Sequence, residues 1–150
     1  MQGLLIGLSN VHESGYIHRD IKPENIMLAP KDGEVEETEK VKIVDFGLSM
    51  KQKLTNKKLH EEKIGTILYM APEQIQLRAY TKKIDVYAAG IIIYQMLVGY
   101  HPLYIPGPHF GDSSATLRMK ISAIEPELWF YPPYITDDAR DLICRMCRIS

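Results

Sequence analysis

Four polar side chains between residues 20 and 45 are spaced so that they could act on one bound group. Asp20 and Asn25 lie five residues apart (25 − 20), so a single loop can present a carboxylate and a carboxamide to the same space. Asp45 follows a short apolar run, and Lys22 lies two residues after Asp20. Phosphoryl transfer requires a base, oxygen ligands for Mg²⁺ and a cation near the migrating group. These four side chains could supply all three.

Short apolar runs are expected to form the strands that position these four side chains. Residues 26–28 and 41–44 are predicted to form two strands, joined by a charged turn over 30–40 that contains Gly33. The resulting β-hairpin carries the loop of residues 17–25 at one end and Asp45 at the other. Residues 48–70 lack any period and contain several lysines, and segments of that length are usually functional or disordered.

Four helices are predicted around the hairpin. The first covers residues 1–14, with Gly15 suited to its C′ position. Thr81 can cap a helix that runs from Lys82 to about Val98 and ends at Gly99. This helix is apolar nearly all round, so we expect it to be the buried axis of the domain. A weaker helix is predicted over residues 114–124, and the last begins at Thr136.

The motifs in residues 18–25, 45–47 and 71–73 resemble those of a eukaryotic-type serine/threonine protein kinase. The pattern H-R-D-L-x-x-x-N is matched with Ile21 in place of Leu, and D-F-G and A-P-E are matched without change. About ten ordered matches exceed chance, because an average residue type has a frequency of about 5%. The resemblance covers the whole chain. It implies an α+β fold, the large lobe of a kinase, mainly α-helical with a small β-hairpin at the active site.

By this resemblance the cofactors are ATP and Mg²⁺, and the partners are protein substrates. Asp20 is the catalytic base and Lys22 contacts the γ-phosphate. Thr66 forms hydrogen bonds with Asp20 and Lys22 and helps to form the substrate-docking loop. Asn25 and Asp45 are the metal ligands. The nucleotide-binding residues are Lys22, Glu24, Asn25, Met27 and Asp45, with Met27 under the adenine ring. The competing interpretation of Asp20, Asn25 and Asp45 is that they are ordinary turn residues.

The resemblance also implies a set of supporting residues: His18, Arg19, Phe46, Gly47, Glu73 and Asp85. His18 and Phe46 would stack in the column of side chains that marks the active state. Asp85 would accept hydrogen bonds from the catalytic-loop backbone, unless it is only a carboxylate at a helix start. The remaining histidines are expected to be structural or solvent-exposed.

Details of the motifs narrow the resemblance further. Lys22 and residues 65–69 follow the serine/threonine pattern, and residues 47–49 with 99–102 resemble the calcium/calmodulin-dependent group. In the family, an arginine at the position of Arg19 pairs with a phosphate on the activation loop. Thr55 is the candidate phosphosite, because it is the one Ser or Thr between Ser49 and Thr66. The alternative is a solvated lysine-rich loop.

Composition excludes several other classes of protein. The 150 residues carry a net charge of −1, which gives no sign of a nucleic-acid or membrane-surface binder. The N-terminus lacks the basic region of a signal peptide. Cys144 and Cys147 have helical spacing and no second metal-binding pair follows, so we expect reduced thiols and a cytoplasmic protein.

The extent of the chain adds an expectation about completeness. It begins 17 residues before His18, so we expect residues 1–150 to be a partial kinase domain, truncated at both ends, whose N-terminal lobe is absent. We also expect Glu73 to lack its family arginine partner and this chain alone to be inactive. Two alternatives remain open. One is a catalytically silent fragment that acts as a protein-binding module, and the other is a small-molecule phosphotransferase with a related loop.

Overall fold

The computed structural model describes residues 1–29, 40–51, 65–103 and 114–148 of this chain. Within those ranges the fold is helix-rich and contains two small antiparallel sheets. The helices are α1 (Gln2–Glu13), α2 (Pro72–Ile75), α3 (Lys83–Val98), α4 (Ser114–Ala123) and α5 (Asp137–Cys147). The strands are β1 (Tyr16–Ile17), β2 (Ile26–Ala29), β3 (Lys40–Ile43) and β4 (Met50–Lys51). Short 3₁₀ turns cover Pro23–Asn25, Ile67–Tyr69 and Pro126–Leu128.

Helix α3 is the buried axis of the described fold, as its uniformly apolar sequence predicted. Its residues contribute to two core clusters. One lies against α5 and Trp129, and the other lies against α1 and β3. At Gly90 the contact with α5 is so close that an added Cβ would lie 2.5 Å from Cys147 Sγ. Gly99 adopts the left-handed conformation that ends the helix, with φ of 93°.

The ends of the helices follow local capping chemistry. Thr136 caps α5, because its hydroxyl accepts the backbone N–H of Ala139. Helix α3 begins at Lys83 and its N-cap is Lys82, so the prediction that Thr81 caps this helix was wrong by one residue. The Thr81 hydroxyl nevertheless accepts the N–H of Lys83, at 3.3 Å. Helix α4 ends at Ala123, one residue earlier than predicted.

The predicted hairpin strands are present, and a second sheet accompanies them. Strands β2 and β3 pair antiparallel with Ile26 opposite Ile43. The loop of residues 17–25 and Asp45 therefore lie at the same end of this hairpin, and the prediction that they lie at opposite ends was wrong, because the start of one antiparallel strand is next to the end of its partner. The second sheet pairs β1 with β4, placing Ile17 opposite Met50. This sheet was missed because each strand has two residues, too few for a period to show. The segment predicted to be irregular over 48–70 therefore contains β4 near its start and a 3₁₀ turn near its end.

Two further expectations concern the cysteines and the membrane. Cys144 and Cys147 are free thiols, and Cys147 is fully buried on α5. Burial raises the pKa of the Cys147 thiol far above its usual value, so this thiol stays protonated.

Throughout the described ranges, no helix combines the length and the apolar character needed to cross a bilayer.

Candidate active site

The loop that follows β1 is tied to α3 by one buried carboxylate. Asp85 lies in the first turn of α3 and is 1% exposed. Its Oδ2 accepts the backbone N–H of His18 and its Oδ1 accepts that of Arg19, each at 2.8 Å. Arg19 has a φ of 69°, a left-handed conformation that a non-glycine residue adopts only when its surroundings hold it there. Asp85 supplies that restraint.

His12 completes the environment of Asp85, a role that was not predicted from the sequence. Its Nε2 lies 2.8 Å from Asp85 Oδ2, and both side chains are almost fully buried. The contact joins α1 to the start of α3 across a separation of 73 residues. The spacing of histidines along the chain carries no sign of a partner so distant, so sequence reasoning had no signal for it.

His18 joins the loop of residues 17–25 to the segment that carries Asp45. Its Nδ1 accepts the N–H of Asp20 at 3.3 Å, so the proton sits on Nε2, which donates to Val44 O at 3.0 Å. The imidazole is fully buried, and its centroid lies 4.9 Å from that of Phe46 in an edge-on contact. The structure thus brings together the two rings that the resemblance expected to stack.

Asp20 is the centre of a compact polar network. Its Oδ2 accepts from Lys22 Nζ at 2.7 Å, and its Oδ1 accepts both the backbone N–H and the hydroxyl of Thr66 at 3.1 Å. Burial alone would raise the pKa of Asp20, but the hydrogen bonds from Lys22 and Thr66, with the charge of Lys22, hold it below its usual value. Asp20 is therefore a carboxylate throughout the neutral pH range.

Lys22 belongs to the same network, and one of its three N–H groups remains available to a further acceptor. Its Nζ donates to Asp20 and, at 3.2 Å, to the hydroxyl of Thr66. An ammonium group has three N–H donors, so one remains beyond these two bonds. The bond to Asp20 raises the pKa of Lys22, which keeps the cation charged.

Asn25 lies beside Asp20, and only its Nδ2 group bonds to that residue. The Nδ2 group donates to Asp20 O at 2.8 Å and to Asp20 Oδ2 at 3.3 Å, so the carboxamide oxygen takes no part in either bond. The backbone of Asn25 also accepts the N–H of Val44 at 2.9 Å. This bond fixes Asn25 next to the segment that leads into Asp45.

Asp45 is exposed and lies in a tight left-handed turn, with φ of 62°. Its Oδ1 accepts the N–H of Gly47 at 3.2 Å, which leaves Oδ2 without a described partner. Asn25 and Asp45 therefore offer one carboxamide oxygen and one carboxylate oxygen, the hard donors that suit Mg²⁺. No cluster of three or more His, Cys, Asp or Glu that could hold a metal ion occurs among the described residues.

The remaining predicted nucleotide contacts lie on accessible parts of the same region. Glu24 is exposed in the 3₁₀ turn before β2. Met27 is 54% exposed on β2, where it pairs with Lys42 of β3. The hairpin therefore presents Met27 to solvent rather than to the core.

Gly65 allows the segment before α2 to approach the catalytic loop. Its φ is +114°, and an added Cβ would lie 2.6 Å from Arg19 O. A side chain at this position would therefore push Thr66 away from Asp20. In the sequence, Gly65 is only part of a serine/threonine-type pattern, and its physical role becomes visible only in the close approach of two distant segments.

The guanidinium group of Arg19 is held within the described structure. Its Nε donates to Leu48 O at 2.7 Å, and Nη1 lies 3.4 Å from the hydroxyl of Tyr80. Arg19 thus joins the loop to the start of the segment expected to be phosphorylated. Thr55, the candidate phosphosite, lies outside the described residues.

Glu73 lies beside a groove between α2, α3 and α5. The groove has a volume of about 380 Å³, and its lining includes Glu73, Lys83, Tyr87, Arg145 and Arg148. Arg145 is paired instead with Asp141 on its own helix, at 2.8 Å. Among the described residues, no ion pair of Glu73 is present.

Comparison with known proteins identifies a family and several relatives of this chain. Residues 1–150 match the family described as "Protein kinase domain". The chain is 37% identical over 146 residues to calcium/calmodulin-dependent protein kinase type 1 of Caenorhabditis briggsae. It is 38% identical over 135 residues to calcium-dependent protein kinase 14 of Arabidopsis thaliana, and 38% identical over 140 residues to an Aurora kinase of Yarrowia lipolytica.

The coverage of these matches is uneven. The three alignments include 95%, 90% and 93% of this chain, but only 37%, 23% and 33% of the respective relatives. The chain therefore spans about a quarter to a third of the length of these curated proteins. Two of the three names refer to calcium regulation, but the Aurora kinase is equally similar, so identity alone does not separate the subgroups.

Proposed function

Because this chain belongs to the protein kinase domain family, we propose that it forms the catalytic part of a serine/threonine kinase. The reaction would transfer the γ-phosphoryl group of ATP to Ser or Thr hydroxyls on protein substrates. We assign residues 1–150 to the large lobe of such a kinase. The proposal includes a cytoplasmic location, in keeping with the absence of a membrane-spanning helix from the described residues.

The observation that carries the proposal is the network around Asp20. An ionised carboxylate, a lysine and a threonine lie within hydrogen-bond distance of one another, although Thr66 is more than 40 residues from the other two. Asp20, charged at neutral pH, is suited to orient an acceptor hydroxyl and to receive its proton. The third N–H of Lys22, which is not used in the network, is suited to donate to an anionic oxygen of the migrating phosphoryl group.

The residues present fit ATP and Mg²⁺. The free oxygens of Asn25 and Asp45 are the ligands we assign to the metal, which would supply charge neutralisation at the phosphates. The exposed side chain of Met27 is the surface we assign to the adenine ring, and we place Glu24 at the edge of the same site. His18 and Phe46 hold Asp45 near the loop, and the Gly47 N–H orients its carboxylate.

Protein rather than small-molecule substrates are favoured by the segment from Gly65 to Glu73. Gly65 packs against the backbone of Arg19, and Thr66 bonds directly to Asp20. An acceptor side chain reaching Asp20 would therefore meet this segment, which gives a polypeptide a surface to lie on. Residues 47–49 and 99–102 resemble the calcium/calmodulin-dependent group, and we propose membership of that group on the basis of these residues.

The first test is Mg²⁺-dependent binding of ATP to this chain, measured by calorimetry. We expect saturable binding that requires Mg²⁺ and that is abolished by Asp45→Ala. The matched control is Asp141→Asn, an exposed carboxylate on α5 that should leave binding unchanged. Mg²⁺-dependent binding that survives Asp45→Ala would remove Asp45 from the metal site.

The second test is phosphotransfer by the complete gene product. Asp20→Asn should lower kcat by about 100-fold or more while ATP affinity stays nearly unchanged, because a base acts on the acceptor rather than on the nucleotide. Turnover near that of the wild type would remove Asp20 from the mechanism. Wild-type protein that binds ATP but transfers no phosphate to any Ser or Thr peptide would favour the protein-binding alternative.

A further inference from the structure

Three apolar side chains face solvent in the segment that joins α4 to α5. Leu128 is 76% exposed, Phe130 is 62% exposed and Tyr134 is 67% exposed. Single exposed apolar residues are ordinary on protein surfaces, but these three fall within one span of seven residues, 128–134. Leu128, Phe130 and Tyr134 are called the apolar patch below.

The backbone beneath the apolar patch is held firmly against the core. Trp129, between the first two members, is buried and packs edge-on against Tyr94 at a centroid distance of 5.4 Å. The Tyr94 hydroxyl donates to the backbone carbonyl of Phe130. Leu128 and Phe130 therefore project outward on either side of the buried Trp129. Because their backbone is already held in place, binding of a partner would remove little backbone conformational entropy.

Exposed carboxylates surround the apolar patch in sequence. Glu125, Glu127, Asp137 and Asp138 form an acidic rim, and their side chains make no hydrogen bond or ion pair with any described residue. Residues 125–141 contain five acidic residues and one basic residue, a net charge of −4 (1 − 5), whereas the whole chain carries −1. The negative charge is thus concentrated around the apolar patch.

The cations close to the acidic rim are already engaged. The Arg140 guanidinium lies 5.2 Å above the Tyr131 ring and donates to the backbone carbonyl of Glu127 at 3.2 Å. Arg145 pairs with Asp141, the fifth acid of the segment. The Arg140 bond also fixes the 3₁₀ turn Pro126–Leu128 to α5, which holds both halves of the acidic rim on one side of the molecule.

We propose that the apolar patch and the acidic rim form a docking surface for a basic amphipathic segment of a partner protein. Exposed aromatic side chains on a rigid backbone are typical anchors of protein interfaces, and a rim of one charge selects and steers a partner of the opposite charge. The rim disfavours a membrane, because anionic lipid headgroups would be repelled. This inference goes beyond phosphoryl transfer and does not depend on it.

The experiment uses a fluorescein-labelled peptide of three Leu-Lys-Lys-Leu repeats and measures its fluorescence anisotropy with this chain. The double variant F130S/Y134S should weaken binding about tenfold, because both aromatic anchors are removed. The matched control is Met119→Ser on α4, which removes an equally exposed apolar side chain outside the apolar patch and should leave affinity unchanged.

A second variant tests the charge of the rim without touching the apolar patch. Replacing Glu127 by Gln, with Asp137 and Asp138 by Asn, should weaken binding about threefold and remove most of its salt dependence. A peptide with Glu in place of every Lys should not bind the wild type. Near-ultraviolet circular dichroism, which reports on the packing of Trp129, checks that each variant keeps the fold.

Several results would overturn the proposal. These are the absence of saturable binding, equal affinity for F130S/Y134S and wild type, or equal affinity for the acidic peptide. Sedimentation showing that the wild type self-associates and F130S/Y134S does not would assign the apolar patch to a second copy of this chain. Binding to phosphatidylserine vesicles that F130S/Y134S abolishes would assign it to a membrane. None of these binding measurements requires ATP. A negative result for the docking surface can therefore be told apart from a failure of the proposed kinase activity.

Discussion

Asp85 fixes the backbone of the loop of residues 17–25 to the start of α3. It accepts two backbone N–H groups and contacts His12, all at 2.8 Å, inside a site that is closed to solvent. A buried carboxylate is costly unless each of its lone pairs finds a donor, and here the donors come from three separate positions. The loop is therefore fixed to α3 by polar bonds that few other residue types could replace.

Replacing Asp85 with Asn should destabilise the protein by about 2–4 kcal/mol. Asn has one acceptor oxygen, so one of the N–H groups of His18 and Arg19 would be left unpaired in the interior. The measurement is the free energy of unfolding in urea. The control Asp141→Asn removes an exposed carboxylate and should change stability by less than about 1 kcal/mol. Equal stability of the two variants would contradict this role of Asp85.

Replacing Lys22 with Met should raise the pKa of Asp20. Burial already acts to raise it, and the substitution removes a hydrogen bond and a positive charge that oppose burial. The pKa is followed by ¹³C NMR titration of the Asp20 carboxyl carbon. Lys40→Met, at an exposed position of β3, is the matched control and should leave the Asp20 pKa unchanged.

The same substitution changes stability in acid with a definite sign. The pKa of Asp20 is lower in the folded protein than its usual value of 3.8, so Asp20 stabilises the fold above that pH. This contribution is lost as the pH falls from 3.8 through the folded pKa. Lys22→Met should reduce the loss, and an unaltered acid unfolding curve would show that Lys22 does not set the pKa of Asp20.

At the scale of elements, the contact between α3 and α5 depends on a glycine. Gly90→Ala would ordinarily stabilise a helix by about 1 kcal/mol. Here the new methyl group would lie 2.5 Å from Cys147 Sγ and 3.0 Å from Met146 Cβ, so overpacking should outweigh that gain. We expect a net destabilisation of about 1–2 kcal/mol in thermal or urea unfolding.

A double-mutant cycle separates the clash from the effect on the helix itself. Cys147→Ala removes the sulfur, so Gly90→Ala should be less damaging in that background than in the wild type. The difference in stability between Met96→Ala and Met96→Gly, at an exposed position of the same helix, measures the gain in helix propensity from Gly to Ala alone. Additive effects of the Gly90 and Cys147 substitutions would show that the two helices are not in the close contact described.

The sequence predicted most of the long elements because their signals are local. The all-round apolar character of α3, the Thr136 cap of α5 and the left-handed Gly99 each act within a few residues. The two-residue strands β1 and β4 have no comparable signal, since their pairing joins Tyr16 to Lys51 across the chain. Short strands are stabilised by partners rather than by their own residues.

At the scale of the whole molecule, His101 makes stability depend on pH near neutrality. It is buried, donates from Nε2 to Leu68 O at 2.8 Å and accepts the N–H of Leu103 at Nδ1, so it is neutral. Burial lowers its pKa below the usual 6.5, although the bond to Leu68 opposes this. The unfolded chain therefore binds a proton at pH values where the folded protein does not.

The expected outcome is a loss of stability as the pH falls below 6.5, continuing until the folded pKa of His101 is reached. The slope from this one group is at most about 1.4 kcal/mol per pH unit. Urea unfolding at a series of pH values measures it, and His101→Gln, which has no titrating group, should flatten the curve in that range. An unchanged slope in the variant would assign the pH dependence to other residues.

The sequence by itself determined the identity and the order of the candidate catalytic and metal-binding groups. Asp20, Lys22, Asn25 and Asp45 could be proposed in advance because the chemistry restricts the residue types and because loops keep them at short separations. Tertiary structure decided which of the distant groups meet them. His12 reaches Asp85, Gly65 packs on Arg19, and Thr66 bonds Asp20 across 46 residues. Such contacts depend on how buried elements pack, and no local pattern encodes that.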